Sequence, residues 1–265
     1  RNDGNGVFTN VSIAANLYDP LQTWSSAWND YDNDGFMDIV IGASSTTDGS
    51  HKVMKNNGDG TFLDITTGSG WDTNPTLSTE HVSYDFDNDG FTDVLGGSGK
   101  IMFNNGDFTF SPVTYAFSSG AIGDLNNDGF LDIQNGNTVY FNSGNSNNWI
   151  KINLQGIQSN RNGIGARVEI YGSWGKQIRD IRSGEGFRFM NTLNAHFGIG
   201  TATSIDEIHI LWPSGIVDVI ENPTINESLL IIEGSSPLSL VDINGEKISL
   251  YPNPTSGILN ISNLD

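Results

Sequence analysis

Asp30-Tyr31-Asp32-Asn33-Asp34-Gly35-Phe36-Met37-Asp38 is the most regularly patterned stretch of the chain. Carboxylates stand at loop positions one, three, five and nine, with glycine at six. Alternation by two throws the first three side chains to one side, and the glycine permits the sharp reversal that brings Asp38 back toward them. Like charges gathered this way repel strongly. A hard cation with oxygen ligands removes the conflict, and calcium accepts six to eight oxygens in a flexible cage. The pattern returns at Asp85, Asp87, Asp89, Gly90 and Asp93, and again at Asp124, Asn126, Asp128, Gly129 and Asp132. The third copy carries Asn126 at position three and so has less charge to hold an ion.

A second unit recurs between the acidic loops: Arg1-Asn2-Asp3-Gly4-Asn5-Gly6-Val7-Phe8, Lys55-Asn56-Asn57-Gly58-Asp59-Gly60-Thr61-Phe62 and Phe103-Asn104-Asn105-Gly106-Asp107-Phe108-Thr109-Phe110, with a shortened copy from Phe141-Asn142-Ser143-Gly144. Asn-Gly and Asp-Gly between apolar segments predict tight hairpins, because these residues tolerate positive φ. Short apolar runs follow each loop: Ile39-Val40-Ile41, Val94-Leu95 and Ile133-Gln134. The expected order is acidic loop, strand, strand, hairpin, strand, repeated three times. Small antiparallel sheets repeating every 40 to 50 residues are the mark of propeller blades. The loops begin at 30, 85 and 124, so the first repeat is longer, with an insertion expected around 46–51 or 68–79.

Acidic loops followed by apolar strands, with Asn-Gly-Asp-Gly-x-Phe hairpins between them, resemble the FG-GAP/VCBS repeat family, which is similar to the calcium-binding blades of integrin α-subunit propellers. The resemblance covers residues 1–148. It implies about three Ca2+ ions, each held by the carboxylates already named, by Asn126 in the third loop, and by the position-seven carbonyls of Phe36, Phe91 and Phe130. No loop has glutamate at position twelve, where Ile41, Gly96 and Asn135 stand, so an EF-hand helix pair is not expected. Three repeats and a half do not close a ring of four to eight blades. Either further blades precede Arg1, which is the preferred reading, or other strands complete the ring.

Beyond the polar linker Gly144-Asn145-Ser146-Asn147-Asn148 the acidic loops stop and period-two alternation takes over, as in Trp149–Leu154 and Ala166–Tyr171, with the apolar stretches Ile208–Trp212 and Leu229–Ile232 following. This predicts a second antiparallel β domain over 149–235, making the whole chain all-β. Asn162-Gly163-Ile164-Gly165-Ala166-Arg167-Val168, Ser183-Gly184-Glu185-Gly186, His196-Phe197-Gly198-Ile199-Gly200 and Leu211-Trp212-Pro213-Ser214-Gly215 resemble the ASPIC/UnbV domain. His196 has no serine or acid close in sequence to complete a triad, and is read as anchoring a strand end. Arg161, Arg167, Arg179, Arg182 and Arg188 gather positive charge here. They fit carboxylate recognition, of an acidic glycan or of the acidic repeats, or else solvated strand faces. Residues 236–265 form a linker and a short segment. Within it, Leu250-Tyr251-Pro252-Asn253-Pro254-Thr255-Ser256-Gly257-Ile258-Leu259-Asn260-Ile261-Ser262 resembles the start of the C-terminal sorting domain of the type IX secretion system of Bacteroidetes. That resemblance implies export through the type IX machinery.

The chain has 265 residues, 31 acidic against 12 basic, and a formal charge of -19. So acidic a chain lacks the basic footprint that nucleic acid demands. There is no cysteine for disulfides or thiolate metal sites, and no apolar run long enough for a transmembrane helix. Without initiator methionine or signal pattern, the chain reads as processed or as a fragment. Loops of modest calcium affinity suit millimolar extracellular calcium. The expected function is a secreted or cell-surface calcium-binding module that adheres to a protein or glycan, the metal being structural. Two alternatives remain: a self-associating structural protein of an extracellular layer or filament, and a propeller-type polysaccharide-active enzyme using groups such as Glu80, His81 and Tyr84.

Overall fold

The computed structural model describes residues 1–19, 23–43, 51–74, 81–96, 99–185 and 190–235, together with three short strands near the C-terminus. Every regular element among the described residues is a strand. Contacts divide the chain into two compact units, Arg1–Asn147 with Gly184–Thr192, and Asn148–Ser183 with Leu193–Asp265.

In the first unit, β1 (Thr23–Asn29), β2 (Asp38–Ala43), β3 (Lys52–Asn56) and β4 (Phe62–Asp64) pair in sequence order as an antiparallel sheet. The next sheet repeats the plan with β5 (Val82–Tyr84), β6 (Asp93–Gly96), β7 (Lys100–Asn104) and β8 (Phe110–Thr114). A third sheet has β9 (Ala121–Gly123), β10 (Asp132–Asn135) and β11 (Thr138–Tyr140). These are propeller-like blades, with each acidic loop joining the first strand to the second. A strand therefore precedes every loop, one more than the expected order contained. The β2–β3 and β4–β5 connections are longer than their counterparts in the second repeat, at both places where the extra length of the first repeat was sought.

Burial on both faces explains why the second strands read as continuous apolar runs rather than alternating ones. Val40 of β2 packs with Val53, Trp71, Val94 and Met102, so one core is shared by the first two blades. Its neighbours Ile39 and Ile41 turn the other way, onto Met54, Phe62 and Ala15. In the second blade Val94 faces back toward the first, while Leu95 joins Ile101, Ile122, Leu131 and Ile133 in a core shared with the third. The N-terminal segment repeats the hairpin unit, with Asn2 bridged to Phe8. The turn after it mirrors the turn after β4: Phe62 N–H donates to the carbonyl of Ala15 at 3.0 Å, as Phe110 N–H does to that of Ser69 at 2.8 Å.

The second unit has a three-stranded sheet in the order β15 (Ala195–Gly200), β12 (Asn148–Gln155), β18 (Ser228–Ile232). A four-stranded sheet runs β14 (Gly175–Asp180), β13 (Arg167–Gly172), β16 (Glu207–Leu211), β17 (Val217–Glu221). Alternate residues Val168 and Ile170 of β13, and Ile208 and Ile210 of β16, fill a single core with Ile150, Ile152 and Phe197. Pairing is antiparallel except between β12 and β18, which run parallel. Strands β19 (Leu238–Val241), β20 (Lys247–Tyr251) and β21 (Asn260–Ile261) form a small antiparallel sheet. Most of the sorting-type stretch, including Pro252 and Pro254, lies outside the described residues.

Candidate metal centre

Each acidic loop is built by the same local bonds. The position-one carboxylate turns the chain: Asp30 accepts the N–H of Asp34 at 3.0 Å and of Gly35 at 2.8 Å, and Asp85 accepts that of Gly90 at 2.9 Å. Asp124 likewise accepts from Asp128 and Gly129 at 3.1 Å each. Position-five carboxylates accept the N–H two residues on, from Phe36, Phe91 and Phe130. Asn33, Asn88 and Asn127 sit at φ of 58–60° and the glycine at six is left-handed too, which is why Asn and Gly recur there.

Position nine is clamped from two sides. The two oxygens of Asp38 accept the N–H groups of Asn56 at 2.7 Å and Tyr31 at 3.0 Å. Those of Asp93 accept from Asn104 and Phe86 at 2.9 Å each, and those of Asp132 from Asn142 at 2.9 Å and Leu125 at 2.8 Å. This residue ties its loop to the hairpin that follows. The position-seven rings of Phe36, Phe91 and Phe130 lie over the hairpin glycines Gly58, Gly106 and Gly144, where a Cβ would meet them at 2.7–3.0 Å.

Ligand-capable oxygens of Asp30, Asp32 and Asp38 lie within 4.8 Å of one another, as do those of Asp85, Asp87 and Asp89. Among the described residues the third loop forms no such group. There the Asn126 amide donates to Asp128 at 2.7 Å and relieves part of the repulsion. Burial pushes Asp38 up to about 7 against its two N–H donors, with Asp32 and Asp30 adding repulsion. Burial likewise lifts Asp89 to about 6, with Asp87 adding to it, and holds Asp93 well above the carboxylate range beside Asp85 and Asp87. The donor set is all oxygen, and Asp32 Oδ1 is buried without a hydrogen-bond partner. Both features fit a hard cation.

Three kinds of participant are not visible when the residues are read one by one along the sequence. Lys55 bonds to Asp32 and, at 2.8 Å, to Asp34. Burial alone would lower its ammonium, yet these carboxylates outweigh that and hold it above the usual lysine range. Asn33 and Asn88 donate to the glycine carbonyls of the next loop, Gly90 at 3.1 Å and Gly129 at 2.9 Å. Asn104 and Asn142 reach back to the carbonyls of Tyr31 at 2.7 Å and Phe86 at 2.8 Å in the preceding loop. Successive loops are thus stapled in both directions. Beside the second loop a cavity of about 450 Å³ is lined by Phe86, Phe103, Tyr115, Phe117, Tyr140 and Phe141, with Asp87 among its walls.

The other candidates lie in less open places. His81 is fully enclosed, its ring 5.2 Å from that of His51 and 5.4 Å from Trp71, and burial followed by the His51 charge lowers it to about 3. Glu80 is outside the described residues. His196 is buried on β15. Arg167 pairs with Asp180 at 2.8 Å, and Arg179 is buried over the Phe197 ring, so neither is a free cationic surface. Arg188 is outside the described residues.

The repeated loop and the blade that carries it define a class: residues 30–96 match the FG-GAP-like repeat, and residues 156–238 match the ASPIC and UnbV domain. The chain therefore contains both. A search of curated proteins matches it to cartilage acidic protein 1 of Mus musculus, at 26% identity over 252 residues, covering 81% of this chain and 38% of that protein. The chain thus spans well under half the length of that relative. No helix of the described residues is long and apolar enough to cross a membrane.

Proposed function

We propose that this chain is an extracellular binding or adhesion module whose blades are fastened by calcium. The observation that carries the reading is the pair of oxygen clusters at Asp30/Asp32/Asp38 and Asp85/Asp87/Asp89. Calcium bound there would supply the positive charge that lets buried carboxylates stay ionised. The protein's own groups do the rest. Backbone N–H donors aim the oxygens, and the asparagine staples pass the rigidity of one loop to the next. Carbonyls of Phe36, Phe91 and Phe130 are the proposed position-seven ligands, and Asp124, Asn126, Asp128 and Asp132 form a third, weaker site. The extracellular setting is supported by the FG-GAP-like repeat and by similarity to a protein named for cartilage. The aromatic cavity beside Asp87 is a place where an apolar partner group or sugar face could seat. Export by a type IX route rests on the C-terminal resemblance alone.

Equilibrium dialysis against calcium tests the metal reading. At millimolar free calcium the chain should retain at least two ions, and Asp85→Asn combined with Asp87→Asn should remove one. Retention of none refutes the proposal.

A further inference from the structure

The residue before the hairpin asparagine is Lys55 after the first loop, but Phe103 and Phe141 after the second and third. Only the first loop therefore has an ammonium at this place. Lys55 stands on β3 and bonds to Asp32 and Asp34. Its Nζ also lies 4.9 Å above the centre of the Phe108 ring. Phe108 occupies the hairpin position that Gly60 holds in the preceding copy, at a φ of +63° that a bulky L side chain rarely adopts. A strained aromatic thus forms one wall of a cradle for the ammonium, and the two carboxylates form the others. The acidic groups differ accordingly. In the second loop the position-five carboxylate, Asp89, gathers with Asp85 and Asp87. In the first the group is Asp30, Asp32 and Asp38, and position five, Asp34, is held by Lys55 instead.

We propose that Lys55 is a tethered cation that competes with calcium for the first loop, making it the weaker site and the second loop the stronger one. This rests on the calcium reading above. An ammonium on the same chain is always present at high local concentration, whereas the ion must come from solution. It occupies oxygens that calcium would use and repels a dication placed beside it. Exposed ion pairs contribute little on their own, but this one has two acidic partners and an aromatic face. The first blade keeps a positive charge in its loop when calcium is scarce, whereas the second blade has Phe103 at the same place.

The test is calcium titration calorimetry on the full chain with the second and third loops silenced by Asp87→Asn, Asp89→Asn and Asp128→Asn. Lys55→Gln and Lys55→Met should each bind calcium about tenfold more tightly at the first loop, since ligand charge sets the affinity of such sites, whereas Lys55→Arg should leave affinity unchanged. Unchanged or weaker binding in both neutral variants overturns the inference and leaves the calcium reading standing. Should the silenced chain not fold, the same variants are titrated with all loops intact. There Asp87→Asn must abolish the tightest step and Lys55→Gln must strengthen the next one; any other assignment overturns the proposal. Absence of calcium binding in every intact variant overturns the metal reading and this inference together.

Discussion

Two buried carboxylates show opposite ways of meeting the cost of burying charge. Glu233 accepts the N–H groups of Ile157 at 2.6 Å, Gln158 at 2.7 Å and Ser159 at 2.7 Å, and the hydroxyls of Ser159 and Ser214. Burial would raise it, but these donors win and hold it at about 2. Its folded pKa lies below the unfolded one, so its contribution is fully present above the ordinary carboxylate range and is lost as pH falls from about 4.5 toward 2. Glu233→Gln should cost about 2–3 kcal/mol near pH 7, read by urea unfolding, and the gap to wild type should shrink at pH 3. A gap that stays constant means that the charge is irrelevant. Asp38 has only two N–H donors and like charges nearby, and it is pushed up to about 7. Calcium entering that loop must displace protons near neutral pH. Titration heats at pH 7 should therefore vary with the ionisation enthalpy of the buffer, and less so at pH 8.5. Heats independent of buffer at pH 7 contradict the assignment.

At the scale of elements, the blade plan was legible because its signals are local. Glycine at loop position six, asparagine at four and the Asn-Gly hairpins each answer to a backbone angle within a few residues. What joins the blades was not legible, because Asn104 finds its partners on Tyr31 of another blade and on Thr92 of its own, at 2.7 and 3.2 Å. Nothing in the spacing of Asn-Asn-Gly distinguishes that role from the hairpin bond that Asn104 Oδ1 also accepts from Gly106 N–H at 2.9 Å. Lys55 was hidden for the same reason, since its carboxylates lie a strand away in the fold. The parallel pairing of β12 with β18 and the return of Gly184–Thr192 to the first unit depend on long-range packing that alternation does not encode. Within that returned segment, Asn191 accepts the Ile122 N–H at 3.0 Å and Glu185 accepts from the Ser83 hydroxyl at 2.9 Å. The staples make a ranking. Asn104→Ala strands buried carbonyls on two blades and should destabilise the first unit by about 2–3 kcal/mol. Asn56→Ala, whose amide donates only to Met37 at 2.9 Å, should cost less. Thermal unfolding of the two variants decides the order.

For the whole molecule, the two units use different means of staying folded. The second is a sheet-on-sheet core around Ile150, Val168, Ile208 and Phe197, with Glu233 pinned by amides and no oxygen cluster of the loop type among the described residues. The first divides its apolar residues among thin cores between blades and places acidic loops beside them, so its stability depends on what neutralises those loops. A ligand that binds only the folded state stabilises it in proportion to the logarithm of its concentration. Scanning calorimetry of the chain across a range of calcium concentrations, with a chelator control, reads this dependence. One transition should move upward steadily with calcium and fall back with chelator, and Asp85→Asn with Asp87→Asn should blunt the shift, while a second transition stays where it is. Transitions that ignore calcium and chelator alike would contradict it.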